Sequence, residues 1–199
     1  EEAATLPCAA LTAWHSLVEV GGVKAGDTVL LLGTGGVSIV ALQLCQILGA
    51  RAVITSSSEE KLERARALGA WETVNYKTTP DWDRAVLDLT NRLGVDHTVE
   101  VGGAGTLEKS ITATKVGGSV GLIGVLTGGQ INPTLVMRKS IRLQGIYVGS
   151  RRMFEDMNRA IEHHGMRPVI DETFAFGDAR AAYDGMRAAG HFGKLVVQI

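Results

Sequence analysis

The sequence predicts an α/β fold built on one parallel, doubly wound sheet with helices on both faces. Three observations carry the prediction. Short β-branched and aliphatic runs alternate with helical stretches from residue 28 onward, the strands are apolar on both sides, and glycines stand where strands and helices end. Strands that are apolar on both sides belong to parallel sheets covered by helices. We therefore expect six strands in the order 3-2-1-4-5-6, joined by right-handed crossovers.

The strands are predicted at residues 28–33, 52–56, 72–76, 96–103, 118–125 and 141–149. The helix after the first strand, "VSIVALQLCQIL", is almost wholly apolar and ends at Gly49, a residue type favoured at helix C-termini. In "TTPDWDRAVLDLTNRLG", Thr79 is the expected N-cap and Pro80 the first helical residue. One apolar face is expected on that helix, formed by Trp82, Val86, Leu89 and Leu93.

After residue 165 the alternation loosens into a strand, a helix at about 178–189 and the final strand "GKLVVQI". These elements are expected to form a sheet of their own. We therefore predict a domain at residues 1–165 and a separate C-terminal segment at residues 166–199.

Composition limits the classes of function. The net charge is −1, with no basic run, which argues against binding to nucleic acid or to a membrane surface. No apolar stretch is long enough and uninterrupted enough to span a bilayer. The two cysteines, Cys8 and Cys45, form no disulfide framework, and the chain opens on "EEAATLPCAA" without a basic leader, so the expected location is the cytoplasm.

A glycine-rich loop joins the first strand to the apolar helix in "VLLLGTGGVSIVALQ". Gly33, Gly35 and Gly36 would let the backbone approach a pyrophosphate closely, with the helix N-terminal amides facing it. The third glycine of the usual spacing is replaced by Ser38, a small residue at a position that serves helix–strand packing. An ordinary glycine-rich turn is the alternative. The loop's place after the first of six strands favours a Rossmann-type dinucleotide site.

About twenty residues beyond Gly33 the second strand ends in three serines. An NAD-preferring site carries an acidic residue there, which bonds the ribose 2′-hydroxyl. Hydroxyls, a helix N-terminus and Lys61 would instead accept a 2′-phosphate. We therefore expect NADP(H) to be preferred, with NAD(H) as the alternative, and we expect the cofactor to contact Ser56, Ser57 and Ser58.

The same serines also suit a helix cap. Ser57 as N-cap with Glu60 at the third helical position would form a capping box. Capping and phosphate binding are compatible, since both use one helix end. A displaced ribose acid, either Glu59 or Glu60, is the further alternative.

The stretches "LPCAALTAWHSL", "VKAGDTVLLLGTGGVS", "SSSEEKLERARALGA", "GVDHTVEVGG" and "HFGKLVVQI" resemble the medium-chain dehydrogenase/reductase superfamily. The resemblance is to its zinc-type alcohol dehydrogenase-like and quinone oxidoreductase-like branches and covers essentially the whole chain. It implies a cofactor domain whose last segment returns to a GroES-like catalytic domain that this chain lacks. It also implies hydride transfer between nicotinamide and a carbonyl, alcohol or activated C=C. Since the catalytic residues would lie mostly in the other domain, the chain alone is expected to be inactive.

The resemblance implies a set of cofactor contacts. Thr12 would meet the nicotinamide end, although a hydroxyl bonded to a helix carbonyl is the alternative. The strand-end and loop positions could equally be plain turns, and the lysine a solvated side chain. The remaining implied contacts are Gly35, Gly36, Val37, Tyr76, Gly102, Gly103, Gly124, Val125, Val148, Gly149, Phe192, Gly193 and Lys194.

Cys8 matches a ligand of the catalytic zinc in the zinc-dependent branch, and a small core residue is the alternative. The sequence does not decide whether the protein binds zinc, and this chain alone could not form the zinc site. The resemblance also implies a homodimer, because the family pairs the sixth strand, here in "SIRLQGIYVGS", with its twin.

Two other classes of protein stay open. One is a dinucleotide-binding or sensing module without catalysis. The other is a methyltransferase, which would carry an acidic residue at the end of the second strand, where this chain has serines.

Overall fold

A computed structural model describes residues 1–199 as two parallel sheets with helices packed against them. The first six strands form one sheet in the order β3-β2-β1-β4-β5-β6, which confirms the predicted doubly wound fold. The strands are β1 (Thr28–Leu31), β2 (Arg51–Ser56), β3 (Glu72–Asn75), β4 (Val95–Glu100), β5 (Thr114–Leu122), β6 (Arg142–Gly145), β7 (Ile170–Ala175) and β8 (Lys194–Gln198).

A helical segment precedes the sheet, and further helices connect the strands. The segment begins with a 3-10 turn (Glu2–Thr5) and has π-helical turns (Leu6–Ala10 and His15–Val20) on either side of α1. None of the helices combines the length and the apolar character needed to cross a membrane. The helices are α1 (Leu11–Trp14), α2 (Gly36–Ile47), α3 (Glu59–Ala67), α4 (Trp82–Leu89), α5 (Ala104–Ala113), α6 (Pro133–Arg138), α7 (Arg151–His164) and α8 (Ala179–Ala188).

Strand β1 lies at the centre of the sheet and faces two cores. Val29 and Leu31 belong to the larger core, which includes α2, whereas Leu30 and Leu32 belong to the core that includes α4. Successive side chains of a strand point to opposite faces, so a strand covered on both sides must be apolar at every position. This explains the unbroken apolar run in "TVLLLG" and places the glycine loop at the middle of the sheet's carboxyl edge.

The C-terminal segment forms its own parallel pair, β7 and β8, as predicted from its looser pattern. Phe192, just before β8, is buried in the larger core. The segment therefore packs against the main sheet while remaining outside its strand order. The division into domains at residue 165 stays a prediction.

Two expectations for the region of α4 were wrong. Helix α4 begins at Trp82, with Asp81 at the N-cap position, so Thr79 and Pro80 lie in the turn that precedes it. The Thr79 amide donates to the Asn75 carbonyl at 2.8 Å, which holds this residue in the turn after β3. Leu93 is 74% exposed, because α4 ends at Leu89 and the next residues turn through left-handed backbone.

Candidate functional site

The glycine loop makes a sharp turn from β1 into α2. Gly33 has a φ of +71°, a conformation that favours glycine, and its amide donates to Thr55 Oγ1 at 3.2 Å. Gly35 is the N-cap of α2, and no side chain caps the helix. A Cβ atom at either glycine would point into open space. The backbone at Gly33 and Gly35, where the loop enters α2, therefore borders the cleft without side-chain cover, as anion binding requires.

Ser38 explains how the loop tolerates the missing third glycine. Its side chain is 1% exposed, and its hydroxyl donates to the Leu32 carbonyl at 2.6 Å. The serine is small enough for close helix–strand packing, and its hydroxyl is satisfied by the turn that it closes.

The three serines at the end of β2 have three different roles. Ser56 is buried, with its hydroxyl 3.5 Å from Thr34 Oγ1 in the glycine loop. Ser58 is the N-cap of α3 and accepts a hydrogen bond from the Lys61 amide at 3.3 Å. Ser57, between them, is half-buried and faces the cleft. The predicted capping box was wrong by one residue, since Ser58 caps the helix and Lys61, not Glu60, is its third residue.

A cleft of about 410 Å³ lies between the glycine loop, the end of β2 and the C-terminal segment. No aspartate or glutamate lines it. Glu59 accepts a hydrogen bond from Asn75 Nδ2 at 2.9 Å outside the cleft, and Glu60 is exposed on the helix. The structure therefore brings neither candidate ribose acid to the site. The lining residues are Leu32, Gly33, Thr34, Gly35, Gly36, Val37, Ser38, Ser56, Ser57, Lys61, Tyr76, Val101, Leu126, Ala189 and His191.

A second, more apolar cleft of about 240 Å³ adjoins the first along the carboxyl ends of β1 and β4. Tyr76 lines both clefts, as does Leu126. The combination of a polar, glycine-lined cleft and an apolar neighbour suits a ligand with phosphates at one part and a flat ring at another. The residues lining the second cleft are Leu32, Gly33, Thr55, Tyr76, Trp82, Val101, Gly102, Thr106 and Leu126.

Glu100, which the sequence analysis missed, organises the turn after β4. The side chain is fully buried, and one carboxylate oxygen accepts from the Gly102 amide at 2.7 Å, the Gly103 amide at 3.0 Å and Thr106 Oγ1 at 2.7 Å. Ser110 donates to the other oxygen. A buried carboxylate must be paired in this way to be tolerated. The acidic residue inside the apolar run "HTVEV" is the sequence feature that could have revealed it.

The C-terminal segment packs directly on the glycine loop. The Gly193 amide donates to the Thr34 carbonyl at 3.0 Å, and Gly193 and Gly35 form a parallel bridge. The Lys194 side chain passes over Gly36, where an added Cβ would lie 2.7 Å from its Cδ. These contacts hold Gly193 and Lys194 beside the glycine loop; that the two residues contact the cofactor stays a prediction.

Phe192 lies in the core beneath the C-terminal segment. Its ring is buried, with the Arg64 guanidinium 4.3 Å above its centroid, and its amide donates to Asp171 Oδ2 at 3.0 Å. Phe192 does not line the cleft; it anchors the segment that does.

Lys61 and His191 close one side of the cleft, and His191 was not predicted. The Lys61 ammonium donates to the Ala189 carbonyl at 2.8 Å, which joins α3 to the end of α8. The Nδ1 atom of His191 is shielded from solvent and has no hydrogen-bond partner. Burial, together with the charges of Lys61 and Lys194, lowers the pKa of His191 below its usual value.

Thr12 and Val148, two of the predicted cofactor contacts, lie outside both cleft linings. Thr12 is buried and its hydroxyl donates to the Cys8 carbonyl at 2.8 Å, the alternative that the sequence left open. Val148, with a φ of +51°, accepts a hydrogen bond from His15 Nδ1 at 2.9 Å. Thr12 lies in α1, and His15, which holds Val148, follows α1 directly.

The end of β5 lies against the end of β4. A Cβ at Gly124 would lie 2.3 Å from the Val101 carbonyl carbon, so only glycine fits there. Val125 is 91% exposed, and Leu126 reaches the clefts beside it. Glycine at this position therefore serves a close approach of backbones.

Cys8 is exposed, and no three His, Cys, Asp or Glu side chains of this chain come together as a metal site. Catalytic zinc needs three protein ligands. The residues of this chain do not fit such a group by themselves.

Comparison with known proteins identifies the family. Residues 36–163 match the model of the zinc-binding dehydrogenase family. A zinc-type alcohol dehydrogenase-like protein of Schizosaccharomyces pombe is 44% identical, with all of this chain aligned to 60% of that protein. This chain belongs to the zinc-binding dehydrogenase family. It spans about 60% of the length of two curated relatives that it matches.

Two solved structures with high TM-scores have the same fold as this chain. An NAD-dependent alcohol dehydrogenase is 37% identical with a TM-score of 0.93, and the match covers 100% of this chain and 59% of that one. A mycobacterial protein solved with NADPH is 26% identical with a TM-score of 0.87, over 99% of this chain and 64% of that one. The chain corresponds to the C-terminal cofactor-binding domain of the medium-chain dehydrogenase/reductase superfamily. The side-chain-free cradle at Gly33 and Gly35 fits the pyrophosphate of such a cofactor.

Proposed function

We propose that this chain is the NADP(H)-binding part of an oxidoreductase that moves a hydride to or from a carbonyl, alcohol or activated C=C substrate. The bound nicotinamide supplies or accepts the hydride. The chain's own residues hold the cofactor and keep its phosphates in place. The proposed domain division, with residues 166–199 leading back to a catalytic domain, follows the same reasoning.

The observation that carries the NADP(H) preference is the lining of the cleft at the end of β2. A carboxylate there would bond the two ribose hydroxyls of NAD(H) and repel a 2′-phosphate. The cleft has none, and instead holds Ser57 and Lys61 beside the N-terminus of α3. A helix N-terminus, a hydroxyl and an ammonium all favour an anion.

Each part of the cleft suits one part of the cofactor. The open amides of Gly35, Gly36 and Val37 would bind the pyrophosphate. The apolar cleft beside Tyr76 and Trp82 would hold the adenine ring. The nicotinamide would extend toward the ends of β4, β5 and β6, where Gly102, Gly124, Val125 and Val148 lie.

The substrate site is proposed to lie largely outside this chain. The longer relatives have about 40% of their length beyond the aligned part, and substrate-choosing and proton-handling groups would come from there. The isolated chain would then bind cofactor without turning over substrate. If the whole enzyme uses zinc, Cys8 would be one ligand of a site completed by that other part.

A homodimer through β6 is part of the proposal. This edge strand is mostly exposed, and Tyr147, just after it, is 94% exposed. An unpaired edge strand favours pairing with a second copy across a two-fold axis. Light scattering on the purified chain would show a dimer near twice 21.1 kDa, and a monomer would contradict this part. The cytoplasm is the proposed location, because neither cysteine has a disulfide partner.

Calorimetric titration of the chain with NADPH and with NADH tests the proposal. We expect NADPH to bind at least about tenfold more tightly, equivalent to about 1.4 kcal/mol. The Ser57→Asp variant, which adds the missing carboxylate, should favour NADH instead. Equal affinities, or tighter NADH binding by the unaltered chain, would contradict the proposed preference. Absence of binding to either cofactor would contradict the whole proposal.

A further inference from the structure

We propose that His191 is a specificity-determining residue that holds the 2′-phosphate of NADP(H) as an imidazolium, so that NADP(H) binding takes up a proton. The inference rests on the proposed NADP(H) preference and adds to it a residue from the C-terminal segment. It also adds a pH dependence that NAD(H) would lack.

The geometry places the His191 ring at the phosphate end of the cleft. His191 lines the same cleft as Ser57 and Lys61, and the Lys61–Ala189 hydrogen bond of 2.8 Å holds the C-terminal segment at that place. The Nδ1 atom is shielded from solvent, so the other ring nitrogen, Nε2, is the one that a ligand in the cleft would meet. An oxygen of a bound phosphate would accept a hydrogen bond from Nε2.

The charges around His191 are arranged for an anion that the chain itself does not provide. The charges of Lys61 of α3 and Lys194 of β8 act on the imidazole, and Asp171 of β7 is the acidic group nearby. Asp171 already accepts from Arg64 at 2.7 Å and from the Phe192 amide at 3.0 Å. The Asp171 carboxylate therefore already holds the C-terminal segment in place through these two hydrogen bonds. The backbone of Gly185 in α8 is the remaining polar contact of the ring.

The direction of the proton coupling follows from this arrangement. Burial first, and then the two lysines, hold the pKa of His191 below its usual value, so the ring is neutral in the free protein at pH 7. A phosphate dianion beside the ring favours its protonated form and raises that pKa. Between the two pKa values, NADPH affinity falls as pH rises, by at most about tenfold per pH unit for one linked proton.

The cofactor's own ionisation has to be kept separate. A phosphate monoester has a second pKa of about 6, so the 2′-phosphate gains charge up to about pH 7, which would strengthen binding to lysines. The measurement is therefore made between pH 7 and pH 8.5, where the phosphate is mostly a dianion. NADH, which has no 2′-phosphate, serves as the ligand control.

The experiment is calorimetric titration of the 199-residue chain in two buffers of different ionisation enthalpy, which counts the protons taken up. We compare the unaltered chain, His191→Gln and the control His163→Gln, which changes an exposed histidine on α7. NADPH binding should take up a fraction of a proton in the unaltered chain and in the control. His191→Gln should abolish the uptake, weaken NADPH severalfold and leave NADH unchanged.

Unchanged proton uptake in His191→Gln, or equal weakening of NADPH and NADH, would overturn the inference while the NADP(H) preference stood. Failure of the unaltered chain to prefer NADPH would instead refute the proposed preference itself. If His191→Gln does not fold, NMR titration of the five imidazoles in the unaltered chain replaces it. One imidazole pKa should rise when NADP⁺ is added, and five unmoved values would contradict the proposal.

Discussion

Replacing Lys61 with glutamine removes the one ammonium that lines the cleft at the end of β2. Lys61 is half-buried, and its Nζ lies 2.8 Å from the Ala189 carbonyl. The amide of glutamine keeps a donor, although one bond shorter in reach, and carries no charge. The variant therefore tests charge recognition with little change in packing.

The expected loss can be worked out from the environment. A hydrogen bond to a charged group contributes about 1.5–3 kcal/mol, which corresponds to roughly 10- to 150-fold in affinity. Solvent reaches Lys61 and screens its charge, so we expect the lower end of that range for NADPH. NADH lacks the 2′-phosphate and should lose no more than about twofold, through the weaker tie to Ala189.

The assay is fluorescence titration of both cofactors at low and at high salt. The control is Lys77→Gln, which removes an exposed lysine after β3 that lines neither cleft. The NADPH-specific loss should shrink at high salt, because the contact is electrostatic. Equal loss of NADPH and NADH in Lys61→Gln, or a loss of the same size in Lys77→Gln, would refute the assignment of Lys61 to the 2′-phosphate.

Three further predictions concern the scaffold of the site, all measured by denaturant unfolding. Gly124→Ala should lower the free energy of unfolding by about 1–3 kcal/mol, because the added Cβ would lie 2.3 Å from the backbone of Val101. Gly128→Ala should leave that free energy nearly unchanged, because no atom lies within 4 Å of its Cβ. Glu100→Ala should lower the free energy of unfolding by about 1–3 kcal/mol, because it leaves buried donors unpaired, and Glu100→Gln should lower it less; equal losses would contradict the role of the carboxylate. Burial, aided by a nearby arginine, lowers the pKa of His97 to about 4. The unfolded chain therefore binds the proton first, and about 2 kcal/mol of stability should be lost between pH 7 and pH 5. His97→Gln should flatten that dependence, and an unchanged slope would contradict it.

The sequence predicts the sheet well because its pattern is local and redundant. The apolar run of β1 is required by two cores, and the glycines after it are required by the turn, so each supports the same assignment. Counting about twenty residues from Gly33 reaches the end of β2 because β1 and β2 are adjacent and parallel, with Leu31 paired to Ile54. That adjacency brings Thr55 and Ser56 to the glycine loop.

The finer errors have physical causes. Ser57 and Ser58 are both good helix caps, and only the extended backbone of Ser58 decides between them. Thr79 followed by Pro80 looks like a helix start, but the Thr79 amide is already bonded to the turn after β3. These are choices between nearly equal local options, which tertiary contacts settle.

Of the two residues that the sequence analysis missed, His191 depends on a long-range contact and Glu100 on the turn that follows it. His191 lies 130 residues beyond Lys61 in the chain, and the two meet only because β8 pairs with β7 beside the loop. Glu100 is paired by a turn whose geometry is set by Gly103, with a φ of +96°. Nothing in the local pattern of His191 specifies its neighbours, whereas the acidic residue inside the apolar run "HTVEV" does mark Glu100.

A crystal structure of the chain with bound NADPH tests the central claim most directly. The account predicts the pyrophosphate over the amides of Gly35 to Val37 and the 2′-phosphate within hydrogen-bond distance of Ser57, Lys61 and His191. A 2′-phosphate that projects into solvent without contact to these side chains, or a cofactor bound away from the cleft, would contradict it.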